Sequence, residues 1–291
     1  MFVDLHLHTL YSDGKLNVTD TIDIALKKNI SLISITDHDT INGVREAIEY
    51  SRLKNITCIS GIELSCRNEN SNIKFPQDVS IHLLGYNIDY SNLELQNHLN
   101  NYHINRRIIL DELISELVNN DLDISYEDIN VIAGKQMRIQ DVINHINSCF
   151  MCNEKKEKYI DIATKYYSKL FSVDIPVQTA LKLIKKAGGI SVLAHAFYSY
   201  RDYDVEINPY SSIKSLFDYL CDMGLDGLET FYPKFTTEQS RFLQIEAKKR
   251  NLIVTAGSDF HGTPLRKGMM DYDIPSMEKT NNLLLKTNKY F

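Results

Sequence analysis

Residues 4–14, DLHLHTLYSDG, set two histidines two apart in an apolar opening segment and follow them with an acidic turn. Side chains two apart on a β-strand point to the same face, so Asp4, His6 and His8 are expected to project side by side. Three such groups are costly to bury without a strong partner. An edge strand with solvated polar alternation and a metal site both satisfy this stretch, and the other segments decide between them.

Outward from this strand, segments rich in β-branched and apolar residues alternate with longer amphipathic ones, the pattern of parallel α/β structure. FVDLHL, LISIT, TCISGIE and SIHLLGY read as strands in the first third, and GISVLAH, GLDGLET and LIVTAGS in the last. Between them VTDTIDIALKK, NGVREAIEYSRL, PVQTALKLIKKAG and TTEQSRFLQIEAKKR read as helices. The helix at Pro176 has its proline near the first turn and Gly188 and Gly189 past its end, the usual asymmetry of helix boundaries. From about Ser91 to Val173 the text turns polar and helical, as in LELQNHLNNYHINRRIILDELISELVNN, with apolar residues three and four apart. The expected organisation is a barrel built from residues 1–90 and 174–291, interrupted by a helical insertion at residues 91–173.

A chain of 291 residues can bury a sizeable core, and its 43% hydrophobic and 24% charged composition is ordinary for a globular protein. A net charge of −6 disfavours a broad nucleic-acid-binding surface, so any anionic substrate must be attracted locally. No apolar run of about 18 residues suggests a membrane span, and a start that is acidic by residue 4 does not read as a signal peptide; a cytoplasmic protein is expected. The five cysteines, Cys58, Cys66, Cys149, Cys152 and Cys221, read as free thiols. Cys149 and Cys152 form a CxxC with no second pair and are taken as partly buried residues rather than a zinc or redox site.

In a parallel barrel, functional groups gather at the carboxyl ends of the strands. His38 follows LISIT in TDHDT, Glu63 ends TCISGIE, His82 sits in SIHLLGY, His195 ends GISVLAH, and Asp259 and His261 follow LIVTAGS in SDFH. Six of the nine histidines are placed in this way, which favours the metal site over the solvated edge strand.

Taken together, DLHLHTLYSDG, TDHDT, GIE, HLLGY, AH and GSDFHG resemble the PHP (polymerase and histidinol phosphatase) family of metal-dependent phosphoesterases. Within it the chain resembles the nucleotide phosphatases with a helical insertion, which act on nucleoside 3′,5′-bisphosphates and on the 5′ ends of short RNA. The resemblance implies an α/β fold, a distorted seven-stranded (β/α) TIM-like barrel, with three divalent metal ions. It implies that His6, His8, Glu63 and Asp259 hold one metal, that Glu63, His82 and His195 hold the second with Glu63 bridging, and that Asp13, His38 and His261 hold the third. Imidazole with carboxylate suits Mn, Fe or Zn, and the absence of cysteine ligands argues against a purely structural zinc. Asp4 and Asp37 flank ligand histidines and are expected to orient them, with turn or surface roles as the alternative. Three divalent ions would outweigh three carboxylates and leave a positive centre that attracts phosphate. No protein nucleophile is expected, because metal-bound water can attack phosphorus directly.

The insertion is expected to supply specificity. Arg106 and Arg107 in NRRIIL, and Lys135 and Arg138 in KQMRIQD, are candidates for gripping phosphate, with a solvated helix face as the alternative for Arg106 and Arg107. Relatives usually read Arg-Pro-His at the second stretch, whereas Arg138, Ile139 and Gln140 keep the arginine and lose the histidine. Ala196 stands where proline often follows the ligand histidine, and His98, His103 and His145 read as ordinary helix residues. The implied activity is hydrolysis of phosphate monoesters of small nucleotides, without a membrane or a stable nucleic-acid complex. Histidinol phosphatase is the competing enzyme, and a non-catalytic PHP module, as found attached to polymerases, is the competing class. The complete ligand set and the lack of a polymerase-sized region count against the module. An amidohydrolase barrel also displays HxH, but Glu63 and SDFH fit the phosphoesterase set better.

Overall fold

The opening segment forms strand β1 (Phe2–Leu7) in the computed structural model, which describes residues 2–75, 79–129, 137–150, 154–197, 209–262 and 272–273. Every residue of β1 after Phe2 is buried, so its polar members face the protein interior and not solvent. Its pairing with the next strand is irregular between Asp4 and Leu7. Leu5 accordingly packs with Leu32, Ile59 and Leu84, whereas Leu7 packs with Val18, Ile22 and Ile33. Irregularities of this kind re-aim side chains at functional ends of strands.

The remaining elements follow the alternation read from the sequence. Helix α1 (Val18–Lys27) is capped by the Asn17 side chain and leads to β2 (Ile30–Ile35). Helix α2 (Val44–Lys54) ends at a left-handed Asn55 and leads to β3 (Thr57–Arg67), which is followed by β4 (Ile81–Tyr86). After the insertion come β5 (Ile175–Pro176), α6 (Val177–Lys186), β6 (Ile190–Leu193), α7 (Pro209–Asp222), β7 (Gly227–Phe231), α8 (Thr237–Lys249), β8 (Ile253–Ala256) and β9 (Tyr272–Asp273). Helix α7, with Ile213, Leu216, Phe217 and Leu220 at helical spacing, is an addition to the elements expected above, and the two-residue strands β5 and β9 are too short to carry a periodic signal.

The sheet runs β8-β7-β6-β4-β3-β2-β1-β9, with β5 paired to β3. Pairs β1/β2, β2/β3, β6/β7 and β7/β8 are parallel, but β4 is antiparallel to both β3 and β6, which corrects the all-parallel reading. The reason is the connection: parallel neighbours need a crossover, usually helical, and among the described residues no helix stands between β3 and β4. The sheet curls until the segment after β8 returns to β1, where the His8 N–H donates to the Phe260 carbonyl at 2.9 Å. The architecture is the expected α/β distorted TIM-like barrel.

The chain divides into two units, residues 1–96 with 175–291, and residues 97–174. The second holds most of α3 (Leu93–Asn119), together with α4 (Ile139–Cys149) and α5 (Glu154–Ser172). It has its own apolar core, which includes Leu113, Leu117, Val142, Ile146 and Ala163. Cys58 and Cys66 are buried, but Cys149 is exposed, contrary to the partly buried reading, because it lies in the last turn of α4. Cys152 and Lys135 lie outside the described residues. No helix among the described residues is long and apolar enough to cross a membrane.

Candidate metal centre

The two histidines of the opening strand are brought together with four others from distant elements. His6 lies in β1 and His8 just beyond it; Asp13 is in the following turn, His38 follows β2, Glu63 lies within β3, His195 follows β6, and Asp259 and His261 follow β8. Glu63 does not end its strand, since β3 continues to Arg67; it stands where β3 leaves β2 and bridges to His38. His82 is the second residue of β4 and pairs with Ser65. Because β4 runs antiparallel, its beginning lies at the end of the sheet where the parallel strands finish, and reversal of the strand is what places His82 in the cluster.

Glu63 is the hub. Its Oε2 lies 3.1 Å from His6 Nε2, 3.1 Å from His8 Nε2 and 3.2 Å from His38 Nδ1. Its Oε1 lies 2.9 Å from His82 Nδ1 and 3.0 Å from His195 Nε2. Asp259 Oδ1 approaches His8 Nε2 at 3.3 Å and His6 Nε2 at 3.8 Å, and Asp13 Oδ1 approaches His261 Nε2 at 3.0 Å. Ligand atoms converge in four overlapping groups: His6, His8 and Asp259; His6, Glu63 and His195; His38, Glu63 and His82; and His8, Asp13, His38 and His261. Glu63 is fully buried, whereas the His38 and His82 side chains are 25% and 22% exposed, so the cluster opens on their side.

The donor set fits divalent metal ions. His6 Nε2, His8 Nε2, His38 Nδ1 and Glu63 Oε2 are buried and have no hydrogen-bond partner, although each nitrogen lies within 3.2 Å of the oxygen. Buried polar atoms normally find a partner, and convergent lone pairs of imidazole and carboxylate without one are the arrangement a cation satisfies.

A sequence profile described as the PHP domain matches residues 4–210. The chain belongs to the PHP domain family. It is 27% identical over 262 residues to a 5′-3′ exoribonuclease of Haemophilus influenzae, covering 89% of each chain. It is 24% identical to a phosphoribosyl 1,2-cyclic phosphate 1,2-diphosphodiesterase of Eggerthella lenta, covering 95% of this chain and all of the relative. Among solved structures, a protein of Bifidobacterium adolescentis described as a metal-dependent phosphoesterase superposes with a TM-score of 0.72 at 22% identity, covering 97% of this chain and 96% of that one. With this family and these relatives, the chain is a hydrolase of phosphoric esters.

In this PHP chain the residues around the cluster hold it in shape. Asp37 accepts from the Thr9 N–H at 2.7 Å, the Thr9 hydroxyl at 2.7 Å and the Ser12 hydroxyl at 2.6 Å, which fixes the turn carrying Asp13. Asp39 accepts from the N–H and hydroxyl of Ser65, each at 2.8 Å. His38 thus sits between two carboxylates that tie its loop to the end of β1 and to β3. Asp4 accepts from Ser258 and from the His6 N–H, and no bond runs from it to an imidazole; it positions backbone.

The carboxylate that does hold an imidazole is Glu229, a residue sequence reasoning passed over. It lies in β7, buried to 1% exposure, with Oε1 at 2.9 Å from His6 Nδ1 and Oε2 accepting the His195 N–H at 2.8 Å. The available signal was a lone glutamate in the strand segment GLETF. Tyr232 just beyond it donates its hydroxyl to Asp259 Oδ2 at 2.9 Å. His195 and Asp259 both have left-handed backbone, φ 23° and 53°, a conformation that persists where surrounding contacts enforce it.

The charges of the cluster are strongly coupled. Burial would lower His8, but Asp259 and Glu63 push it up to about 10. Burial draws His38 down to about 3 and also lowers His261. Glu63 and Asp259 lie well below the usual carboxylate range: burial opposes this, but His38 and His6 outweigh it at Glu63, as His8 and His6 do at Asp259. Burial raises Asp4 to about 7 and raises Asp37 as well, so these two carboxylates are shifted opposite to Glu63 and Asp259.

Arg106, Arg107 and Arg138, the described basic residues singled out in the insertion, belong to the second unit. Arg106 donates to the Tyr102 hydroxyl at 3.1 Å and faces Asp174. Arg107 donates to Asp111 at 2.7 Å and lies over the Tyr126 ring, 3.6 Å from its centroid. Arg138 is the N-cap residue of α4, its N–H donates to Asp141 at 2.9 Å, and its side chain is 33% exposed.

Proposed function

We propose that this chain hydrolyses phosphate monoesters of small nucleotides, a nucleoside 3′,5′-bisphosphate foremost and the 5′ ends of short RNA as an extension. The observation that carries the reading is Glu63, whose two oxygens each face imidazoles from different strands. On this reading three divalent ions, Mn, Fe or Zn, are held by His6, His8, Glu63 and Asp259, by Glu63, His82 and His195, and by Asp13, His38 and His261. Bound ions of this kind supply Lewis acidity and a local positive field for phosphate. The chain's own residues hold the imidazoles in place through Glu229, orient Asp259 through Tyr232, and leave the His38 and His82 side open to substrate. The Haemophilus exoribonuclease supports a nucleotide substrate, and one partial match, 38% identical over 63 residues or 22% of each chain, to a 3′,5′-nucleoside bisphosphate phosphatase of Chromobacterium violaceum, supports the bisphosphate.

Phosphate release by protein reconstituted separately with Mn, Fe and Zn tests this. The panel comprises a nucleoside 3′,5′-bisphosphate, a short 5′-phosphorylated RNA, a phosphoribosyl cyclic phosphate and histidinol phosphate. Preference for the bisphosphate or RNA is expected; preference for histidinol phosphate would replace the reading. Glu63→Gln should lose at least two metals and nearly all turnover, and full metal content by elemental analysis would overturn the bridging role.

Of the insertion's basic residues, Arg138 is proposed for substrate selection because it is the arginine kept in KQMRIQD; its guanidinium also faces Asp141 at 3.7 Å. Arg138→Ala should weaken turnover of a bisphosphate by roughly 1.5–3 kcal/mol, the range of a charged hydrogen bond, and leave a simple aryl phosphate unchanged. Equal losses on both substrates would remove Arg138 from this role.

A further inference from the structure

We infer that Glu229 is a positioning residue that locks the tautomer of His6, so that His6 Nε2 keeps its lone pair for a metal ion. The inference rests on the reading of the cluster as a metal centre. Both oxygens of Glu229 are engaged: Oε1 at 2.9 Å from His6 Nδ1, Oε2 at 2.8 Å from the His195 N–H. A carboxylate has acceptors only, and a backbone N–H can only donate. The bond at Oε1 therefore requires a proton on Nδ1, so that the neutral imidazole which binds a metal ion has its lone pair on Nε2. Nε2 is the His6 atom that faces Glu63 and Asp259, and it is buried without a hydrogen-bond partner.

The same carboxylate also sets the second histidine. His195 has left-handed backbone, and the bond from its N–H to Glu229 holds that turn while His195 Nε2 reaches Glu63 at 3.0 Å. One side chain thus couples a histidine of β1 to a histidine after β6. Space around it is fixed as well, because a Cβ on Gly257 would stand 2.6 Å from Glu229 Oε1.

Glutamine separates this role from mere packing. It has nearly the same shape, but its amide offers one acceptor and one donor group. If its oxygen takes the His195 N–H, its NH2 faces His6 Nδ1, which must then accept, and the imidazole proton moves to Nε2. If the amide is turned over, its NH2 meets the His195 N–H, donor against donor. Neither orientation keeps both bonds and a bare Nε2.

The experiment is a double-mutant cycle read by metal binding. Zn or Mn affinity is measured by titration of metal-free protein for the wild type, Glu229→Gln, His6→Ala and the double variant, with thermal melting of each metal-free form. Glu229→Gln should weaken affinity about 10- to 100-fold, the usual cost of removing a carboxylate that orients a ligand histidine. In the His6→Ala background it should cost little more, since the glutamine oxygen can still take the His195 N–H and only the bond to His6 is lost. Wild-type affinity in Glu229→Gln, or losses that add, would overturn the assignment. If the glutamine variant does not fold, the cycle is run with Glu229→Asp, whose shorter arm cannot span both partners; additive losses would again overturn it. A wild-type protein that binds no metal would instead sink the reading of the centre itself.

Discussion

Ser258 gives both its backbone N–H and its hydroxyl to the carboxylate of Asp4, at 2.9 and 2.5 Å. The pair joins the first strand to the segment after β8, which delivers Asp259 and His261 to the cluster. Asp4 is fully buried and also accepts the His6 N–H at 3.3 Å, so removing it leaves three donors unpaired in the interior. Asp4→Ala should cost about 1–3 kcal/mol for each donor stranded, read as a lower denaturation midpoint with unchanged m-value. An unchanged midpoint would show that the closure is carried by other contacts.

Gly257 lies where no side chain fits, since an added Cβ would stand 2.2 Å from the His6 Cβ. Backbone of β1 and the segment after β8 must move apart to admit it. Gly257→Ala should therefore destabilise the protein by about 1–3 kcal/mol, as overpacking does, and lower metal content by displacing His6. Melting and elemental analysis on the same sample check both; a stable variant with full metal content would contradict the packing argument.

Tyr232 holds Asp259 Oδ2 while Oδ1 faces His8 and His6. Phenylalanine keeps the ring and removes only the hydroxyl. Tyr232→Phe should reduce activity or metal affinity about 10- to 100-fold with little change in melting. A loss of stability without loss of affinity would assign the hydroxyl to the fold.

Asp13 Oδ1 is 3.0 Å from His261 Nε2 and 3.6 Å from His8 Nδ1, at one edge of the cluster. If it holds the third ion, Asp13→Ala should lower metal stoichiometry by about one and reduce kcat on the order of 10²-fold, the scale of losing one strong electrostatic stabiliser. Unchanged stoichiometry at a normal rate would leave a binuclear centre.

Strand and helix identity around the barrel was legible from local pattern, because alternation and amphipathic spacing are properties of short segments: the strand through His6 and the helices after Asn17 and Thr236 stand where the sequence placed them, whereas the strand through Glu63 runs on to Arg67. The clustered histidines were legible for a related reason, since motifs at strand ends converge once a sheet closes. Tertiary structure alone decided the rest. The direction of β4 depends on a connection without a crossover, and only that reversal brings His82 to the others. Asp4, expected to orient an imidazole, accepts from Ser258 and the His6 N–H instead, and Glu229 takes the bond to the His6 ring across 223 positions of sequence. A hydrogen bond of that span leaves no periodicity to read; it exists because the curled sheet sets β7 and β1 within reach of one another.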